Sequence, residues 1–281
     1  MRPFAENLPF VCIFLAILTG ILCGAFSDGR KTYRLTVAVC AVIAVLSGVV
    51  LIYTVENQLS FTYTMGRFIA PYGNAIKCGP WQALLATVFA AVMALSLAGG
   101  KRDLFHDVLP EKLRFYCTMV NLLTASLLSL VYTNDVFTGY VFIEISTIAA
   151  CALVMAKDNG PNLIATIRYL FMSLVGSGLF LIGVIYTYSI TGHLLFPQLH
   201  ETIAALWADG TYRFSMTVAI GLMTAGLAIK SGLFPFHFWM PDTYGRATPA
   251  SSGILSGVVS KAYILLLIKI IYRAVGIEVF A

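Results

Sequence analysis

Residues 227–242 read LAIKSGLFPFHFWMPD. Lys230 stands inside a long apolar stretch, with Pro235 five residues on and His237 two beyond that. A charged amine at membrane depth costs about 3 kcal/mol on insertion scales, so it is rarely decorative. A proline nearby breaks the helix. Broken helices are tolerated in a bilayer only where protein or a water-filled cavity covers the freed backbone. Charge and break at one depth point to an ion path, and the rest of the chain has to say which ion and through what.

Composition sets the class. The chain has 281 residues, of which 59% are hydrophobic and 11% charged, with a mean hydropathy of +0.87. These values exclude an ordinary soluble fold. Runs of about 20 apolar residues span the hydrocarbon layer. Eight are predicted, over 8–26, 35–54, 81–98, 115–132, 136–156, 163–190, 216–240 and 251–272. The sixth and seventh are long enough to require tilt or a break. The first resembles a signal peptide, but Arg2 is its one preceding positive charge and no small-residue cleavage site follows Phe26, so it is read as a membrane helix.

Loop charge predicts orientation. Arg30, Lys31, Arg34, Lys101, Arg102, Lys112, Arg114, Lys157 and Arg246 fall on one side; Arg2, Arg67, Lys77, Arg213 and Arg273 fall on the other. The richer side is expected in the cytoplasm. A multi-pass protein of the cell (inner) membrane with both termini outward follows. The net charge of +5 reflects this loop bias, and nucleic acid is not implied. Cys12, Cys23, Cys40, Cys78, Cys117 and Cys151 show no CxxC spacing, which argues against zinc or iron–sulfur ligation. No glycine-rich phosphate loop, nucleotide fingerprint or activated nucleophile is present, so no cofactor and no metal are expected.

Between the spans, 58–79 (QLSFTYTMGRFIAPYGNAIKCG) alternates aromatic and polar residues around a Pro-Tyr-Gly-Asn turn, which predicts a small outer β-hairpin. In 197–210 (PQLHETIAALWADG), Leu199, Ile203, Ala204 and Trp207 recur at helical spacing, which predicts an amphipathic helix on the outer surface. The 99–114 loop is charged and carries no recognisable motif.

Three ionisable side chains fall near the middle of spans: Glu144, Lys230 and Lys261. At 1.5 Å rise per residue, Glu144 and Lys261 are each about 15 Å from either surface, too far to snorkel easily. Glu144 is either a structural partner for a buried cation or half of a switchable ion pair. Two lysines compete for one carboxylate, which favours the switch. A neutral amine beside a charged one is what a proton shuttle requires. His237 is either hydrogen-bonded to backbone where the helix restarts or a relay between the lysines. Arg168 is read as an interfacial anchor, Asp135 as an N-terminal helix charge, Asp242 and Arg246 as a pair, and Lys269 as snorkelling outward. Ser173, Gly176, Ser177 and Gly178, and Ser251, Ser252, Gly253, Ser256 and Gly257, suit close helix packing and equally leave room for water beside Lys261.

YVFIEIST (140–147), AIKSGLFPFHFWMPD (228–242) and SGVVSK (256–261) together resemble the antiporter-like membrane subunits of respiratory complex I, of Mrp-type multi-subunit sodium/proton antiporters and of membrane-bound hydrogenases. FTYTMGRFIAPYGNAI (61–76), NDVFTGYVFIE (134–144) and RYLFMSLVGSGLFLIG (168–183) carry the same resemblance, which runs over about 66–273. It implies an all-α membrane fold of about eight transmembrane helices with helix 7 broken. The leading helices and hairpin would occupy 1–114, the first five-helix repeat 115–273, and a C-terminal end 274–281. It implies that Lys230 pairs with Glu144 and that Lys261 relays protons along the membrane plane. His237 matches a histidine of many members, and Arg168 stands where many have lysine. The segment ATPASSGILSG (247–257) departs modestly from the family's proline-rich pattern.

Family members are longer, with a second inverted repeat. A separate chain supplying that repeat, or a truncation, is therefore expected. The function implied is a non-redox subunit of an NADH-quinone oxidoreductase, a hydrogenase-type complex or a cation/proton antiporter. It would supply the cytoplasm-facing half of a path for protons, or sodium in their place, and its partners would be other membrane subunits and the lipid bilayer. A half-length scaffold without ion conduction is the alternative, and a stand-alone transporter a third reading.

Overall fold

The computed structural model describes residues 4–26, 28–64, 75–157 and 159–280. Among them are eight helical segments long and apolar enough to cross a membrane, so the expected all-α membrane architecture is observed. The chain begins with α1 (Phe4–Ala25) and α2 (Gly29–Glu56). A two-stranded antiparallel ribbon follows, with β1 (Phe61–Thr64) paired to β2 (Ala75–Cys78) in the register Phe61↔Cys78 to Thr64↔Ala75. These are the arms of the expected hairpin; its Pro-Tyr-Gly-Asn turn lies outside the described residues. Then come α3 (Pro80–Gly99), the short α4 (Lys101–Asp107), α5 (Pro110–Tyr132), α6 (Val136–Val154), α7 (Gly160–Thr191), α8 (Phe196–Asp209) and α9 (Arg213–Ser231). A 3-10 turn (Phe236–Trp239) leads into α10 (Met240–Arg246), followed by α11 (Pro249–Ile254) and α12 (Ser260–Lys269). π turns at Leu255–Val259 and Ile270–Val275 interrupt the last span.

Local chemistry explains where the helices start. Asp28, Asp135, Asn159 and Thr248 each accept a backbone N–H of the first turn, and proline stands in the first turn of α3, α5, α7, α8, α10 and α11. The Asp28 cap starts α2 at Gly29, ahead of the expected 35, so Arg30, Lys31 and Arg34 belong to helix rather than loop. The links α1–α2, α3–α5, α6–α7 and α10–α11 share one end of the bundle, here the basic end. The ribbon and α8 lie at the other, the hairpin end.

The core is built on α5, whose most apolar stretch is 78% buried against 61% or less for the other spans. Its buried Thr124, Ser126 and Ser129 return their hydroxyl protons to carbonyls of the same helix. Small polar residues satisfied in this way let neighbouring backbones approach. Asn121 reaches across to Thr36 Oγ1 at 2.9 Å. α8 forms where its helical spacing predicts. Its Phe196, Leu199 and Ile203 are buried, and the helix packs on the π turn at Ile270–Val275, so protein covers these apolar residues.

α7 and α9 cross at backbone contact. A Cβ on Gly226 would lie 2.5 Å from the Gly176 carbonyl oxygen, and one on Gly183 would lie 2.8 Å from that of Ala219. Gly176 and Gly183 of α7 thus serve close packing.

Candidate functional site

Lys230 sits in the last turn of α9, and the break behind it is a formed cap rather than a frayed end. Gly232 takes φ +66°, which a residue with a Cβ rarely adopts. Leu233 N–H then donates to the Ala228 carbonyl at 3.0 Å and Gly232 N–H to that of Ile229 at 3.2 Å. This is a Schellman closure. Trp239 Nε1 also donates to the Ile229 carbonyl, at 3.2 Å. The seventh span therefore breaks where α9 ends at Ser231 and resumes beyond Pro235, and the negative end of the α9 dipole falls on Lys230.

The Lys230 side chain is fully buried, and its three N–H groups meet three kinds of partner. Nζ donates to Thr147 Oγ1 at 2.7 Å, lies 3.5 Å from Glu144 Oε1, and stands 5.7 Å from the centre of the Tyr263 ring. Thr147 is three residues after Glu144, so both fall on one face of α6. The carboxylate distance is long against the 2.7–2.9 Å of a tight charged hydrogen bond. The pair is loose, and Glu144 keeps 27% side-chain exposure. A Cβ on Gly176 would lie 3.0 Å from Lys230 Cγ, so this glycine makes room for the amine's stem.

Glu144 and Lys230 are brought together; Lys261 and His237 are not joined to them. Lys261 follows the first π turn, is exposed, and donates to the Ser256 carbonyl at 2.6 Å. His237 is also exposed, its ring stacked on Phe234 at 5.8 Å. Both look out from faces that the described residues leave uncovered.

The expectation that Lys269 snorkels outward is corrected. It is 9% exposed and donates to the carbonyls of Leu130, Val131 and Thr133. These carbonyls close α5, which ends without a glycine cap. They form the negative end of the most buried helix and lie closer to the amine than solvent does. The missing cap after Tyr132 is the sequence signal that a donor had to come from elsewhere.

At the basic end, Asp242 accepts from Arg246 Nε at 2.6 Å and from Arg168 Nη1 at 2.9 Å, tying α10 to α7. Lys157 lies 2.8 Å from Asp107 and ties α4 to the α6–α7 link. Hydrogen bonding to Lys157, then to His106, holds the Asp107 carboxyl below its ordinary range. Sequence reading also missed two hydroxyl pairs, one buried beside Lys230 and one half-buried nearer the basic end. Tyr263 Oη and Ser146 Oγ lie 2.8 Å apart, and Tyr244 Oη and Ser260 Oγ lie 2.6 Å apart. Tyr residues in apolar runs read as packing, which is why they carried no signal.

Residues 133–278, more than half of the chain, match the NADH:quinone oxidoreductase/Mrp antiporter transmembrane family. The chain is 27% identical to a Na(+)/H(+) antiporter subunit of Bacillus subtilis, over 91% of its own length and 50% of the relative's. It is 29% identical to an NADH-quinone oxidoreductase subunit of Desulforudis audaxviator, over 95% and 52%. The chain thus spans about half the length of these curated relatives. Its fold matches a chain of the Mrp complex from a Dietzia species with a TM-score of 0.84 at 22% identity, over 98% of this chain and 49% of that one. It also matches a chain of an archaeal membrane-bound sulfane sulfur reductase with a TM-score of 0.81 at 24% identity, over 95% and 52%. The broken span, the buried Lys230 and the family match over 133–278 agree, and the protein is a multi-pass membrane member of the NADH:quinone oxidoreductase/Mrp antiporter family.

Proposed function

We propose that this chain carries part of a proton path in a multi-subunit membrane complex, with the Glu144–Lys230 pair as its switch. The observation that carries the reading is a fully buried ammonium held only loosely, at 3.5 Å, by its carboxylate. At an effective dielectric of about 20, a unit pair at 4 Å is worth about 4 kcal/mol. That is enough to decide whether the amine keeps its proton. With the pair closed, Lys230 is favoured as the ammonium. With Glu144 drawn away, the neutral amine is favoured and the proton leaves. Sodium coupling would use the same carboxylate with a different ion.

The basic end is assigned to the cytoplasmic side of an inner membrane by its loop charge. The 1–114 segment serves as leading helices and 115–273 as the first repeat. Lys261 and His237 act in this scheme only once further helices cover the faces on which they stand. Those helices would belong to partner subunits or to a second repeat. The exposed break supports this reading, because Leu233, Phe234 and Phe238 flank non-helical backbone and are 38%, 85% and 65% exposed. Such backbone is not left facing lipid.

Reconstituted complex bearing Glu144→Gln or Lys230→Ala is expected to lose proton uptake measured with a pH-sensitive dye. Full activity in both would sink the reading and leave the scaffold function, for which Lys261's separation from Lys230 is the supporting observation.

A further inference from the structure

Two hydroxyls near the pair lack a well-formed partner. Tyr169 Oη and Ser173 Oγ are both buried, in residues 1% and 2% exposed; they approach each other, and Tyr169 approaches Tyr263, but none of these contacts has the geometry of a full hydrogen bond. They stand four residues apart on α7, on one face and on successive turns. Tyr263, Cys151 and Tyr244 are electrostatic neighbours of Tyr169, and Ser173 lies beside it. Tyr263 in turn lies under the Lys230 amine and next to Ser146 and Thr147. The Tyr169 ring is fixed against Trp239 at 5.1 Å, and Trp239 meets Tyr244 edge-on at 6.1 Å. Tyr244 is half-buried and bonds Ser260, two residues from the Asp242–Arg246 pair at the surface.

The set has a direction. Tyr169 lies nine residues into α7, about 13 Å from the basic end, and Ser173 about 20 Å, at 1.5 Å per residue. Lys230 therefore looks along a line of hydroxyls toward the basic end, and nothing comparable joins it to His237 among the described residues. Each unpaired buried hydroxyl costs about 1–3 kcal/mol if the site is dry. Two on successive turns, with several polar neighbours, form a polar pocket of the kind that retains water.

We propose that Tyr169 and Ser173 hold water and carry protons between Lys230 and the basic end, so that protons reach the pair along hydroxyls and not by way of His237. The inference rests on the Glu144–Lys230 pair being the proton site. In each hop a hydroxyl or water accepts a proton on a lone pair and releases its own on the far side. No group is oxidised and no bond to carbon changes.

Tyr169→Phe keeps the ring on Trp239 and removes only the hydroxyl. The variant, made in the complete complex, is expected to lower proton uptake about a hundredfold, the low end of the range ascribed to positioned proton donors, while its melting temperature holds or rises. Ser173→Ala should slow uptake and Ser173→Thr should restore it. Unchanged uptake in Tyr169→Phe and Ser173→Ala, beside loss in Glu144→Gln, overturns this inference and leaves the pair as the proton site. Unchanged uptake in Glu144→Gln overturns both. A slow Tyr169→Phe that also melts lower, without rescue by Ser173→Thr, assigns Tyr169 to packing and overturns the proposal. A high-resolution map supports it with a water bonded to Tyr169 and Ser173, and opposes it with a dry gap.

Discussion

Lys230 and Lys269 are the lysines that the described residues bury, and they are satisfied in opposite ways. Lys269 fills its three donors with three carbonyls that have no other amine. Lys230 has one hydroxyl, one loose carboxylate and one ring face. The first is a lock and the second a poised charge. Lys269→Met should therefore destabilise by about 3 kcal/mol, since it orphans carbonyls at the end of α5. Lys230→Met should cost less, because it strands one buried carboxylate oxygen, Glu144 Oε1, where Lys269→Met strands three carbonyls. Thermal unfolding of the two variants in one detergent checks the order, and the reverse order would contradict it. The same contrast shows what was legible. Lys230 was visible through its neighbours Pro235 and Glu144, whereas Lys269 looked like an ordinary late-helix lysine. Its partners are 136 to 139 residues away in sequence, and no local pattern names them.

At the scale of elements, the α7–α9 crossing sets where Lys230 sits. Gly226→Ala would drive a Cβ into the Gly176 carbonyl and the Phe180 backbone nitrogen, at 2.5 and 2.7 Å, and backbone cannot step aside. A loss of about 1–3 kcal/mol is expected, together with slower proton uptake as Lys230 is displaced. Gly178→Ala, where nothing lies within 4 Å, should be neutral or slightly stabilising. Parallel melting curves separate the two. Sequence reading grouped Gly176 and Gly178 in one small-residue cluster and left Gly226 out, because only the crossing shows which faces meet.

The α4 clasp gives an expectation in pH. Asp107's carboxyl is held below its unfolded value, so its stabilisation is complete above the unfolded value near 3.8 and is lost as pH falls through the lower, folded one. Amide protection factors, the slowing of exchange relative to unstructured peptide at the same pH, should stay flat in α4 and across 155–157 from neutral pH to about 5 and fall only below about 4. In Lys157→Gln the loss of protection should begin at higher pH. An unchanged onset in that variant would remove Lys157 as the cause.

Over the whole molecule, the surface that bears the break is unfinished. Leu233, Phe234 and Phe238 surround non-helical backbone, with His237 among them, and Lys261 lies uncovered on the next span. Phe234→Cys in the assembled complex should form cross-links to a neighbouring helix and resist lipid-soluble thiol reagents. Free reaction with such a reagent would show that this face meets lipid. The membership of the chain in its family and its eight spans agree with the sequence reading. The path drawn from Lys230 through His237 to Lys261 is not formed by the described residues.

Sequence alone determined what depends on one-dimensional quantities. The spans follow from apolar length, the break from Pro235, and the cost of Glu144 and Lys230 from their depth in the apolar runs. Tertiary structure decided what depends on which helix faces meet. It set the 3.5 Å looseness of the pair, placed Lys269 under the carbonyls of α5, and lined up the hydroxyls of Tyr169, Ser173 and Tyr263. A hydroxyl or an amine satisfies its bonding with whatever lies within about 3 Å, and in a helical bundle those neighbours belong to other segments of the chain.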